Sequence, residues 1–250
     1  MPNTLITCAT SHIGLSVAEN IVVDGKLVLT GRDQDKLNKL CKSLSSKATS
    51  VHLDFFDSQS IQQASETIAS EGQIDKVVFI IPRIPPKSEV FSTEEELISD
   101  HLNFFIKPLQ LFRLLFEADA ISDSAKIVIV SGLSTKSALS HYATNNTIRS
   151  AWLGQAKTMS LALGERRIAV NTLSLGAVMT DSYRARLKQR AVLNGVTPDE
   201  QLATEVDNIA MKKYAEVGDV VDAILSLTGP MAKHITGQNI LMDGGFFRGY

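Results

Sequence analysis

Two side chains in the middle of the chain have the types and spacing to act on one oxygen together. Tyr142 and Arg149 lie seven residues apart, two turns of an α-helix, so a phenol donor and a permanent cation share one face. A hydroxyl and a guanidinium placed together suit stabilisation of a developing oxyanion. Ser131, eleven residues before Tyr142, supplies a further hydroxyl. A second group lies in ITCATSHIGLS (6–16). Backbone N–H groups opening a helix there, with the hydroxyls of Thr10 and Ser11, suit an anion. Cys8 and His12 are four apart, but no third and fourth ligand follows at metal-binding spacing, so no metal site is expected. His52, His101, His141 and His234 are scattered and read as surface or satisfied residues, although His141, beside Tyr142, is placed to face a pocket.

The elements that must position these residues are legible as an alternation. Short apolar runs are TLITCA (4–9), KLVLTG (26–31), TSVHLD (49–54), KVVFII (76–81), KIVIVSG (126–132), IAVNTLSLG (168–176) and NILMDGG (239–245). They show little polar alternation, as strands covered on both faces require. Amphipathic stretches at about 13–24, 34–45, 58–71, 95–116, 141–163 and 217–228 predict helices between them, the second capped by Asp33. The pattern predicts one α/β domain over residues 1–250, with a doubly wound parallel sheet of about seven strands and helices on both faces. Residues 180–215 form a long polar, helix-prone excursion beyond a strand's carboxyl end, where a substrate lid belongs.

With 250 residues, 44% of them hydrophobic, the chain can bury one sizeable core. A net charge of −2 and a pI near 6.2 give no electrostatic case for nucleic acid or an anionic membrane. No apolar run approaches the roughly 20 residues that span a bilayer. The opening MPNTLITCAT shows no basic region followed by a signal core, and Cys8 and Cys41 form no CxxC. The expected compartment is therefore the reducing cytoplasm.

LALGERRIAVNTLSLGAVMTDSY and HITGQNILMDGG make the whole chain resemble a short-chain dehydrogenase/reductase with a single Rossmann-like domain. In the first stretch Leu175 replaces the family's proline while Gly176 and Thr180 are retained; Gly176, Val178 and Thr180 would lie beside a nicotinamide. LVLTGRDQDKL (27–37) resembles the second strand and its turn, and the resemblance implies that Arg32 meets the 2′-phosphate of NADP(H). HLDFFD (52–57) implies adenine contacts by Asp54 and Phe55. FIIP (79–82), with Ile81 on the nucleotide, replaces the family's Asn-Asn-Ala-Gly turn. The first loop aligns as Thr7-Cys8-Ala9-Thr10-Ser11-His12-Ile13-Gly14 with a three-glycine phosphate loop. Cys8 and His12 fill two glycine positions, Gly14 keeps the third, and Thr7, Thr10, Ser11, His12, Ile13 and Gly14 are the expected nucleotide contacts. His12 would crowd the phosphates unless its ring swings outward.

The family's catalytic Ser, Tyr and Lys fall on Gly132, Asn145 and Arg149, while Asn103 matches its proton-relay asparagine. In a second register Tyr142 and Arg149 give Tyr-x6-Arg, which resembles the Tyr-x6-Lys of enoyl-acyl-carrier-protein reductases. The segment 168–245 also resembles reductases of bacilysin-type pathways, which share Ile81-Pro82 and the Asn at 145. Helices at 181–194 and 198–209 would cover the substrate. These likenesses imply NADPH-dependent reduction of an activated C=C, or of a carbonyl, in a small metabolite, by a homo-oligomer (dimer or tetramer). The candidate catalytic set is Tyr142, Arg149, Ser131, Asn103 and Asn145. Substitutions at 8, 12, 79, 80, 132, 145 and 149 leave open an inactive homologue, without bound cofactor, serving as a binding or scaffold subunit. A halohydrin-dehalogenase-like lyase also has arginine at the lysine position, but keeps the serine and tyrosine absent at Gly132 and Asn145.

Overall fold

Runs that are apolar at successive positions bury both faces of the strands they form, which requires helices above and below. The structure, a computed structural model, describes residues 2–21, 25–44, 47–87 and 89–249. Its strands are β1 (Thr4–Ile6), β2 (Leu27–Gly31), β3 (Ala48–His52), β4 (Ile74–Ile80), β5 (Ile121–Gly132), β6 (Ala169–Leu175) and β7 (Asn239–Met242). They pair in parallel in the order β3-β2-β1-β4-β5-β6-β7. The helices are α1 (His12–Asn20), α2 (Gln34–Leu44), α3 (Ser58–Ser70), α4 (Glu94–His101), α5 (Lys107–Glu117), α6 (Ala143–Ala162), α7 (Asp181–Asn194), α8 (Pro198–Glu205) and α9 (Val217–Leu227). The expected ends of the first two helices, at 22–24 and 45, lie outside the described residues.

Alternate strand residues feed two cores. Leu5, Ile127 and Ile129 pack with Ile61 and Ile68 of α3, Leu111 of α5 and Trp152 of α6. Ile6, Val128 and Val130 pack with Val17 of α1, Leu37 of α2 and Ile224 of α9. Each fully buried aliphatic side chain of this kind contributes about 1.5–3 kcal/mol, so the two layers fix the strand ends from which the site is built.

The structure departs locally from the expected elements at three places. The stretch 95–116 is two helices joined by a π turn at Leu102–Ile106, and the Trp152 indole N–H donates to the Phe104 carbonyl there at 2.8 Å. Strand β5 begins five residues before the apolar run, because Ser122 donates to the Asp75 carboxylate at 2.8 Å and so accommodates a polar start. Helix α8 ends at Glu205 rather than 209.

The excursion 180–215 is tied down at both ends. Val178 bridges Ala215, where Met179 N–H donates to the Ala215 carbonyl at 2.8 Å. Met211 N–H donates to the Gly244 carbonyl at 3.0 Å. Gly244 and Gly245 take left-handed φ values of +63° and +83°, and a Cβ on either would fall 2.8 Å from Ile209 or Ala210. The excursion is thereby fixed over the carboxyl ends of β6 and β7.

Candidate functional site

Strand order reverses between β1 and β4, and a crevice opens beyond their carboxyl ends. A cavity of about 680 Å³ lies there, lined by Cys8, Thr10 and Ser11 after β1, Arg32 after β2, Phe55 after β3, and Ile81, Pro82 and Arg83 after β4. Ser11 caps α1, its Oγ accepting from Gly14 N–H at 3.1 Å. A Cβ on Gly14 would fall 2.9 Å from Ala9 Cα and still closer to the Cys8 carbonyl oxygen, so the helix reaches the strand only with glycine there. Cys8 takes the left-handed conformation, φ 47°, that a glycine would adopt without strain. Burial pushes its thiol up to about 12, opposed by Arg32, which holds Cys8 protonated. His12 is the first residue of α1, exposed and outside the cavity lining, so its ring leaves the crevice open.

Other expected nucleotide residues serve the frame. Thr7 is fully buried; its hydroxyl accepts from Ile80 N–H and donates to the Ile80 carbonyl, both at 2.7 Å. Phe79 packs its ring 4.3 Å from Phe112 and 5.4 Å from Trp152, aromatic bracing where the family has amides. Phe55 is buried edge-on to Phe79, Ile13 packs on the α1-side core, and Asp54 accepts from Phe56 N–H at 2.9 Å. The exposed Arg32 guanidinium lies over the Phe56 ring at 5.4 Å.

A second cavity, about 420 Å³, lies between α6, the ends of β6 and β7 and the excursion 180–215, and Arg83 lines it as well as the first. Tyr142, Asn145 and Arg149 meet there. Tyr142 is not inside the helix: it is the N-cap, φ −141° and ψ 42°, with its carbonyl accepting from Asn146 N–H at 2.8 Å. The phenol and the guanidinium therefore share a cavity rather than a regular helical face. Arg149 fills the hollow left by Gly132, where an added Cβ would fall 2.5 Å from its Cζ. Its Nη1 donates to Ser134 Oγ at 3.1 Å, and among the described residues no carboxylate pairs with it. Burial pushes its pKa below the usual value, with the Tyr142 phenol opposing.

Asn145 is 1% exposed. Its Nδ2 donates to the Ile84 carbonyl at 3.2 Å, which leaves Oδ1 as a buried acceptor with no partner. Ser131 and Asn103 do not join this group. Ser131 Oγ is buried without a partner and outside the lining, and Asn103 sits in the π turn, its Oδ1 accepting from Lys107 Nζ at 3.4 Å. Gly176 lines the cavity, where a Cβ would fall 3.0 Å from Asp243 Cα. Val178 and Thr180 instead anchor the excursion, Thr180 Oγ1 capping α7 by accepting from Tyr183 N–H at 3.2 Å.

The roof of the cavity holds residues that sequence reasoning missed. Glu205 accepts from the Tyr183 and Tyr214 hydroxyls, both at 3.1 Å, from Arg190 at 2.7 and 2.9 Å, and from Gln201 at 2.8 Å. Burial alone would raise its pKa, but the hydrogen bonds from Arg190, Gln201 and Tyr183 hold the carboxyl at about 2. Burial pushes both phenols up, which keeps them protonated as donors to Glu205. The available signal was the four-residue spacing of Gln201 and Glu205 and the seven-residue spacing of Tyr183 and Arg190.

The family described as Enoyl-(Acyl carrier protein) reductase matches residues 8–247. D-erythrulose reductase of Gallus gallus is 35% identical over 120 residues, 48% of this chain and 45% of that one. L-xylulose reductase of Mesocricetus auratus is 28% identical across 97% of this chain and 95% of its own length. The crystal structure of L-sorbose reductase from Gluconobacter frateurii, complexed with NADPH and L-sorbose, superposes with a TM-score of 0.89 at 20% identity, covering 100% of this chain and 97% of that one. A match spanning almost the full chain, together with the seven-stranded parallel sheet, places this protein in the short-chain dehydrogenase/reductase family of oxidoreductases.

Proposed function

We propose that the chain is an NADPH-dependent reductase of an activated C=C bond in a small metabolite. The observation that carries this reading is the convergence of Tyr142 and Arg149 in a cavity that shares Arg83 with the crevice at the strand-order reversal. That crevice fits NADP(H): Gly14 and the left-handed Cys8 keep the loop's backbone path, His12 leaves it open, and Arg32 stands at its rim. Ser11, Thr10 and the first N–H groups of α1 would hold the pyrophosphate, and Arg32 the 2′-phosphate. The bound nucleotide would supply a hydride.

The protein's part is to steady negative charge on the substrate oxygen. The Arg149 guanidinium offers it a preformed cation, and the Tyr142 hydroxyl a donor and a proton. At the usual tyrosine position Asn145, its Nδ2 held by the Ile84 carbonyl, has no hydroxyl proton to give a carbonyl oxygen, which favours C=C over carbonyl reduction. Exposed Ile98 on α4, Ile106 in the π turn and Leu161 on α6 support a homo-oligomer formed through these helices. The two free cysteines support a cytoplasmic setting.

The test is NADPH oxidation with α,β-unsaturated ketones and aldehydes set against their saturated counterparts. Turnover of the unsaturated compounds alone, slowed about a hundredfold by Tyr142→Phe, is expected. NADPH binding without turnover of either set would favour a binding subunit, for which the missing serine and tyrosine at Gly132 and Asn145 speak.

A further inference from the structure

Among the described residues Asp100 is the one acid or base that is buried, 8% exposed, and nothing in the proposed chemistry uses it. It is the next-to-last residue of α4, and its Oδ2 accepts from the Lys87 ammonium at 2.6 Å and from Thr144 Oγ1 at 3.4 Å. A carboxylate taken out of water is costly unless it is paired, so the chain favours the one arrangement that brings its partners to it. Here that arrangement joins α4, the loop after β4 and the first turn of α6.

That first turn is the end of α6 next to Tyr142, and its own side chains do not cap it. The opening N–H groups of a helix need acceptors from outside its regular ladder. Tyr142, the N-cap, makes no side-chain cap hydrogen bond, and Ala143 N–H donates instead to the Lys87 carbonyl at 3.0 Å. Two residues on, Asn145 Nδ2 donates to the Ile84 carbonyl at 3.2 Å. The loop 84–87 thus serves as the cap of α6. Lys87 is bound twice, by its carbonyl to the peptide that follows Tyr142 and by its ammonium to Asp100. Tyr142 lines the cavity together with Ile84 and Pro86 of the same loop, whereas Lys87 and Asp100 stand behind that lining.

We propose that Asp100 is a positioning residue for Tyr142: acting through Lys87, it clamps the loop 84–87 on the start of α6 and sets where the phenol stands in the cavity. The inference rests on the reductase reading in taking the Tyr142 hydroxyl as the proton donor.

Two readouts on the full chain test it, and the first needs no turnover. With 3-fluorotyrosine incorporated, the Tyr142 fluorine resonance is assigned by its loss in Tyr142→Phe. It should shift in Asp100→Asn and in Lys87→Met, while the resonances of Tyr183 and Tyr214 stay in place. The second readout is NADPH oxidation with an α,β-unsaturated ketone. Asp100→Asn should lower kcat about tenfold, as a displaced catalytic group would, and leave KM unchanged. Added to Tyr142→Phe, the same substitution should leave kcat where Tyr142→Phe alone puts it, because its effect runs through the missing hydroxyl. A Tyr142 resonance unmoved in both variants would overturn the proposal, and so would movement of all three resonances together, which marks general loosening. An equal fold-loss of kcat with and without the Tyr142 hydroxyl would overturn it too. Absence of turnover in the unmodified protein would count against the reductase reading alone, since the fluorine spectra decide the positioning role without it.

Discussion

Arg149 occupies the space that a side chain at position 132 would need: a Cβ built on Gly132 falls 2.5 Å from the Arg149 Cζ. A serine at 132 would therefore require the guanidinium, the far end of a flexible side chain, to swing away, which couples the two departures from the usual catalytic set. Gly132→Ser alone should displace the guanidinium and destabilise the fold by up to about 1 kcal/mol, the mild end of overpacking because a flexible side-chain end gives way. Combined with Arg149→Lys, which withdraws the fork, most of that loss should return. Chemical denaturation of the two variants checks this, and equal destabilisation in both would refute the coupling.

Arg149→Met exposes the tension between stability and function. Removing a partly buried cation that no carboxylate among the described residues neutralises should leave stability unchanged or raise it by up to about 1 kcal/mol, as when charge yields to apolar volume. Turnover should fall at the same time. A melting temperature several degrees lower would show that Arg149 is structural.

The network on Glu205 predicts a pH dependence confined to acid. Its carboxyl is held at about 2, below the ordinary 4.5. A depressed folded-state pKa contributes stability that is present above the unfolded value and is lost as pH falls through the folded one. The segment 180–215 should therefore loosen between about pH 4.5 and 2, read as faster proteolysis around Gly195. At neutral pH, Glu205→Gln should reproduce that loosening.

Burial pushes Cys8 up to about 12, while Cys41 is raised but lies in a less enclosed position. A thiol reagent at pH 8 should label Cys41 faster than Cys8, which lines the crevice but is held protonated. Mass spectrometry of the labelled peptides reads the order, and faster labelling of Cys8 would contradict its raised pKa.

The strands were legible because a parallel sheet needs apolar residues on both faces, and TLITCA and KIVIVSG carry them at successive positions. Gly14 was legible for a related reason, since a helix start packed on a strand end excludes a side chain. What escaped the sequence was set by tertiary contact. Asn145 is an acceptor only because the Ile84 carbonyl, 61 positions away, fixes its amide. Cys8 stands in for a glycine by taking a left-handed φ, which no residue type announces. Tyr183, Glu205 and Tyr214 meet only when α7 and α8 fold back over the cavity, and Gly132 and Arg149 when α6 packs on β5.

The most direct test of the account is a titration of the protein with NADPH and NADH, followed by fluorescence or calorimetry. The account predicts micromolar binding of NADPH, at least tenfold tighter than NADH, with that preference lost in Arg32→Ala. Millimolar or weaker binding of both nucleotides would contradict it, and would leave a dinucleotide fold without its nucleotide.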